Sequence, residues 1–273
     1  MRRVLFLLVL TAFTSSAWRA QAQEVKADVP LSVVRVNVTN QSWDFGRPWG
    51  KRPPFSRRAI GTVLSGNRVL VTAELVANAN FVELETAEGG QKVPATVEVV
   101  DYESNLALLK ADDAAFLKPL KPLEVAAANV GDMLSVWQLE SNGALLVTQA
   151  TMTTAEVTRY PTDDSPLLIY RLTTPLQFRD SSFTLPVVKG GKLVGMVMRY
   201  DNTTNNADVL PAPVIEHFLK DAAKQPYEGF PRVGITSSPT RDPQFRRYLE
   251  LNGTTGGVYI ADTLRDSPAA KAG

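Results

Sequence analysis

From Leu31 to Lys110 one pattern recurs: runs of five to eight apolar or alternating residues, each bounded by turn-forming residues. The runs are Leu31–Val38, Ala59–Leu64, Arg68–Thr72, Phe81–Thr86, Val93–Val100 and Leu106–Lys110. Ser65-Gly66-Asn67 and Glu88-Gly89-Gly90 punctuate them, and Pro94 interrupts one. Such runs are too short for core helices and are rich in β-branched residues, so they predict strands of a barrel or sandwich. After a Pro- and Ala-containing connector at 112–130 a second set begins: Met133–Leu139, Leu145–Thr151, Leu167–Leu172 and Leu193–Tyr200. One helix is predicted over Pro213–Ala223. Pro lies near its start, Val214, His217, Phe218 and Ala222 fall at helical spacing, and Pro226 lies just beyond it. Residues 229–273 open a further unit. The expected class is all-β: two strand blocks, a closing helix and a partial third module.

Composition removes several alternatives. Of 273 residues, 44% are hydrophobic and 21% charged, enough apolar surface to form a core and too much for a disordered chain. Lys and Arg number 29 against 28 Asp and Glu, which argues against a nucleic-acid partner held by bulk charge. Cysteine is absent, which excludes disulfides, thiolate metal sites and a cysteine nucleophile. The single histidine is His217, so chemistry that needs a histidine must use it. No metal or cofactor site is expected. Residues 1–22 read as a secretory signal: Arg2 and Arg3, the apolar run Val4–Leu10, then Ala20-Gln21-Ala22 before Gln23. The apolar run is too short to span a bilayer, and an uncleaved anchor is the alternative. The signal holds three arginines and no acid, so residues 23–273 carry 26 − 28 = −2. Export without cysteine points to a bacterial periplasm, the cell envelope or secretion.

The order of several motifs resembles the HtrA/Deg family of exported serine proteases. Ile60-Gly61-Thr62-Val63-Leu64 matches a G-x-G-x-(I/V) strand, and Val71-Thr72-Ala73-Glu74-Leu75-Val76 matches V-T-N-x-H-V. Asp101-Tyr102-Glu103-Ser104-Asn105-Leu106-Ala107-Leu108-Leu109 matches the segment that carries the catalytic Asp. Val130-Gly131-Asp132 resembles the entry to the second barrel, and Lys189–Met196 resembles the turn after the nucleophile. The resemblance covers roughly residues 31–273. It implies a trypsin-like double β-barrel over 23–225 with one C-terminal closing helix, followed by the first part of a PDZ module over 226–273.

The same motifs imply a degenerate triad. Leu75 stands at the histidine position and Asn105 at the aspartate position. The nucleophile motif G-N-S-G-G is matched by Asp180-Ser181-Ser182-Phe183-Thr184, with Ser182 or Ser181 at the serine. A serine hydroxyl needs an adjacent base, and leucine cannot accept a proton. The glycines that let oxyanion donors approach a substrate are replaced here. His217 reads as a surface or half-buried helical residue. Lys189 or Lys192 as the base of a Ser–Lys dyad is the remaining catalytic alternative. Asp112-Asp113 and Asp163-Asp164 read as solvated loop acids.

Two segments are candidate binding surfaces. Residues 43–58 hold five cations and four aromatics: Trp43, Phe45, Arg47, Trp49, Lys51, Arg52, Phe55, Arg57 and Arg58. This stretch reads as an acidic-partner or ligand-stacking surface, or as a Pro-rich surface loop. Arg232-Val233-Gly234-Ile235 resembles the carboxylate-binding loop of HtrA-type PDZ domains, which take protein C-termini. Asp266–Gly273 resembles the S-P-A-x-x-A-G segment, and the peptide groove would need chain beyond Gly273. The functional expectation is an exported HtrA-like pseudoprotease that acts as a protein- or peptide-binding scaffold, with self-association as a further option. The alternatives are a serine endopeptidase with displaced catalytic residues and a non-proteolytic β-rich envelope module.

Overall fold

The computed structural model describes residues 23–24, 32–163, 165–177, 184–224, 226–251 and 256–273. The expected signal at 1–22 and the nucleophile turn at 180–183 lie outside them. The first block comprises β1 (Gln23–Glu24), β2 (Val33–Asn40), β3 (Phe55–Leu64), β4 (Arg68–Val71), the single turn α1 (Ala73–Val76), β5 (Ala79–Glu85), β6 (Lys92–Asp101) and β7 (Leu106–Ala111). Strands β2-β3-β4-β7-β6-β5 close into an antiparallel barrel. Its strands alternate inward apolar residues with outward ones: β2 buries Val34, Val36 and Val38, which meet Val69, Val71, Leu84 and Leu109 inside. Gly61 is dictated by that interior, because a Cβ there would lie 2.3 Å from Val69 Cγ1 and 2.7 Å from Val36 Cγ2.

The second block holds β8 (Met133–Leu139), β9 (Leu145–Arg159), β10 (Pro166–Thr173), β11 (Pro186–Lys189), β12 (Lys192–Asp201) and β13 (Asn206–Pro211). They pair in the order β9-β10-β13-β12-β11-β8, and β8 pairs back with β9, so these strands also form a ring. β1 adds to the outside of β9. The two barrels are the expected double-barrel architecture. The β11–β12 hairpin turns through Gly190 and Gly191, both at positive φ (56° and 76°), as a tight two-residue turn requires.

Helix α2 (Ala212–Ala222) has Pro213 in its first turn and buries Val214, Ile215, Phe218 and Ala222. These side chains join Leu64, Leu70, Leu106 and Leu108 from the first barrel and Leu193, Met196, Met198 and Leu210 from the second. The helix therefore caps a core shared by both barrels. The connector joins in as well: Leu123 N donates to Val63 O, Leu193 N to Glu124 O, and Ala126 N to Leu193 O.

The last described unit pairs β14 (Ile235–Pro239) with β15 (Val258–Thr263) and carries α3 (Pro243–Tyr248) and α4 (Pro268–Ala272). No residue of these four elements is buried. The expectation of a single helix is thus corrected. α1, α3 and α4 are of four to six residues, too short to show a helical period in sequence.

Candidate functional site

Thr72 leads the chain from β4 into α1, and Leu75 is the third residue of that turn. Its side chain is 5% exposed and packs into the core of the first barrel. Asn105, on the residue before β7, is 1% exposed. It meets α1 from below: its Oδ1 accepts from Glu74 N at 3.0 Å and its backbone O accepts from Ala73 N at 3.1 Å. Asn40, at the end of β2, donates through Nδ2 to Leu75 O (3.0 Å) and Ala77 O (2.8 Å). Two asparagines therefore hold the turn that bears Leu75. Asn105 sits at φ 55°, a left-handed conformation that asparagine tolerates better than most residues. Its Nδ2 finds no acceptor among the described residues.

Asn105 thus lies against the turn that bears Leu75, and neither side chain offers a base. Glu74, between them, is turned to solvent and lies 3.9 Å from Arg57. Ser181, Ser182, Asp180 and Phe183 lie outside the described residues, and the described residues on either side of them are hydrogen-bonded. Gln138 Nε2 donates to Gln177 O at 2.9 Å. On the other side Thr184, 1% exposed, donates through Oγ1 to Ile60 O at 2.6 Å. Thr184 is thereby fastened to β3 of the opposite barrel.

No family model matches the chain. Among curated proteins it is 25% identical over 244 residues to Protease Do-like 4, mitochondrial, of Arabidopsis thaliana, covering 88% of this chain and 47% of that protein. It is 25% identical over 272 residues to Putative protease Do-like 13 of the same plant, covering 96% and 54%. Against the Serine protease DegP homolog of Plasmodium falciparum it is 23% identical over 223 residues, covering 80% and 25%. These relatives are Do-like and DegP proteases, and the chain is similar to them. It spans about half the length of the first two of these relatives. Its fold is that of the HtrA-type protease AlgW with decapeptide, with a TM-score of 0.63, 16% identity and coverage of 89% of this chain and 79% of that one. It is also that of the active form of the Rv3671c protease of M. tuberculosis, at a TM-score of 0.56, 22% identity and coverage of 81% and 97%.

In this chain the other catalytic candidates are occupied elsewhere. His217 is half-buried on α2, with Nε2 at 3.1 Å from Gly229 O and its ring 4.5 Å from that of Phe230. Lys189 pairs with Asp132 at 2.5 Å and Lys192 with Glu124 at 3.2 Å, on an exposed hairpin. Asp163 is an exposed loop acid, as expected, and it also accepts from Arg232 Nη2 at 2.8 Å and from Ser165 Oγ at 2.7 Å. Its sequence neighbour Asp164 lies outside the described residues. Asp112 and Asp113 remain exposed, with Asp113 Oδ1 accepting from Ala115 N.

Sequence reasoning missed a clasp beside Asn105. Tyr227 OH donates to Asp101 Oδ2, whose partner oxygen accepts from Glu103 N. Arg232 Nη2 reaches Glu103 (2.7 Å) as well as Asp163, and Thr162 Oγ1 donates to Tyr102 O at 2.7 Å. The turn leading into Asn105 is therefore tied to the β9–β10 hairpin tip and to the segment after α2. Burial, and then the bond to Asp101 with its charge, push the Tyr227 phenol far above its usual range. The bond to Glu103 and its charge likewise raise Arg232. Within the expected peptide loop, Val233 O accepts from Ala269 N and Gly234 O from Leu264 N, so the loop rests on the α4 segment. The aromatic-basic stretch is a hydrogen-bonded hairpin extension, with Trp43 bridged to Lys51.

Proposed function

We propose that the chain is an exported HtrA-like pseudoprotease whose double barrel serves as a protein- and peptide-binding scaffold. One observation carries the reading: the side chain at the histidine position, Leu75, is buried in the barrel core, and Asn105 spends its Oδ1 on the backbone of the same turn. Without a base, a serine in the turn at 180–183 is a poor nucleophile near neutral pH. The expected loss relative to an intact triad is on the order of 10⁶ in turnover. Thr184 adds to this, because its side chain bonds to Ile60 O where the family has a glycine. Peptide C-termini are the expected ligands of the 226–273 unit. Since the Arg232 guanidinium is engaged with Glu103 and Asp163, recognition would fall to backbone groups of Val233–Ile235. Self-association of the scaffold remains part of the reading.

The test is a fluorophosphonate probe with unfolded casein as substrate. No labelling and intact casein are expected. Rapid labelling that disappears in Ser182→Ala or Ser181→Ala overturns the proposal in favour of a working endopeptidase.

A further inference from the structure

The hairpin extension between β2 and β3 is an exposed aromatic and cationic tip, and its shape is set by its own backbone. Asp44 N donates to Gly50 O (3.1 Å), Arg47 N to Asp44 O (2.9 Å), Gly50 N to Arg47 O (2.8 Å) and Arg52 N to Ser42 O (2.9 Å). The only acid in residues 43–58, Asp44, is used inside the turn, where its Oδ1 accepts from Gly46 N at 3.0 Å. Phe45 is 88% and Trp49 84% exposed, and Arg47 stands between them in the chain. Lys51 Nζ lies 5.0 Å from the centre of the Trp43 ring, a cation on an aromatic face behind the tip. Among the described residues no carboxylate pairs with Arg47, Lys51 or Arg52.

A stably folded hairpin that leaves two large aromatics in water calls for a partner. Two aromatic side chains bring ~500 Å² at most, at ~150–250 Å² each. That falls short of the ~800 Å² per side usual in a specific protein interface. A convex tip also offers no pocket for a partner's anchors. A lipid surface needs neither area nor shape complementarity. Tryptophan settles at the headgroup level, and arginine and lysine are drawn to anionic headgroups while their stems stay in the apolar layer.

We propose that residues 43–52 dock this protein peripherally on an anionic membrane, with Phe45 and Trp49 entering the headgroup layer and Arg47, Lys51 and Arg52 facing the lipid phosphates. The proposal does not depend on whether the site is catalytic. The full chain should co-sediment with phosphatidylcholine vesicles containing phosphatidylglycerol, much less with phosphatidylcholine alone, and binding should weaken as salt rises. Phe45→Ser with Trp49→Ser should lose most of that binding. Arg47→Ser with Arg52→Ser should lower partitioning roughly thirtyfold, about fivefold per charge. All variants keep residues 1–22, so any contribution of that apolar segment is common to them. Both pairs change exposed residues only, and circular dichroism checks that the fold is kept. Wild-type protein that ignores anionic vesicles, or an aromatic double variant that binds undiminished, overturns the proposal. So does an oligomer in sedimentation that dissociates in the aromatic double variant, since the tip would then serve a second copy of the chain.

Discussion

Asn105 combines two requirements that few side chains satisfy together. Its backbone lies in the left-handed region, and its Oδ1 caps an amide of the turn that carries Leu75. Removing the side chain costs the capped amide its partner, worth about 1–3 kcal/mol at a buried site. Keeping a Cβ without the amide adds about 1–2 kcal/mol of backbone strain that glycine does not incur. Asn105→Gly should therefore be more stable than Asn105→Ala, although alanine is nearer in size. In thermal unfolding the gap should be about 2–4 °C per kcal/mol for a domain of this size. Equal melting temperatures would show that the positive φ costs nothing here. Leu75 raises the opposite problem, because a histidine at that position would first have to leave the barrel core before it could serve as a base. The motif order matches Leu75 and Asn105 to two positions of one triad, and the structure sets Asn105 against the turn that bears Leu75. That Leu75 faces the core instead of a cleft was not visible, because Ala73-Glu74-Leu75-Val76 is too short to show a periodicity.

At the scale of elements, α2 and the segment after it are joined through Asp221. This carboxylate, almost fully buried, accepts from Gly229 N (2.6 Å) and Glu228 N (2.8 Å), with Lys224 at 3.9 Å. The Gly229 amide first, then Glu228, Lys224 and His217, hold its pKa below the ordinary 3.8 against the opposing effect of burial. A carboxyl depressed in the folded state stabilises above its unfolded value, and that stability is lost as pH falls through the folded value. Asp221→Asn should thus melt lower than wild type at pH 7, and the two curves should converge below the ordinary carboxylate value. A constant gap down to acid pH would place the effect in packing instead of charge. Elements differed in how far they could be read. β2 and β12 announce themselves through Val, Leu and Met, but β13, Asn-Ala-Asp-Val-Leu-Pro, contains residues that strands disfavour. It is a strand because β10 and β12 flank it and because Asp208 sits between Arg171 (3.1 Å) and Arg199 (2.6 Å). The clasp was equally hidden: Tyr227 and Asp101 are 126 residues apart, and Arg232 and Glu103 are 129 apart. No local pattern records pairs at that distance.

For the whole molecule the decisive feature is the core shared between the barrels. Leu70, Leu106 and Leu108 from the first barrel are fully buried against Met196 and Leu210 from the second and Phe218 from α2. Neither barrel can expose that face without uncovering the other. Leu108→Ala should cost about 2–5 kcal/mol. It should lower one common calorimetric transition, with the calorimetric and van't Hoff enthalpies of the two barrels in agreement. A first-barrel transition that moves alone, leaving the second at its wild-type temperature, would show that the barrels fold independently. The connector bears on the same coupling in another way. Residues 123–126 are bonded to β3 on one side and to β12 on the other, like a stitch through two pieces of cloth. Drawing the barrels apart therefore means breaking the Leu123–Val63 bond on one side or the two bonds to Leu193 on the other, as well as opening the shared core. A protein threaded this way resists mechanical extraction as a single body: a translocating unfoldase that grips either barrel must pull against both.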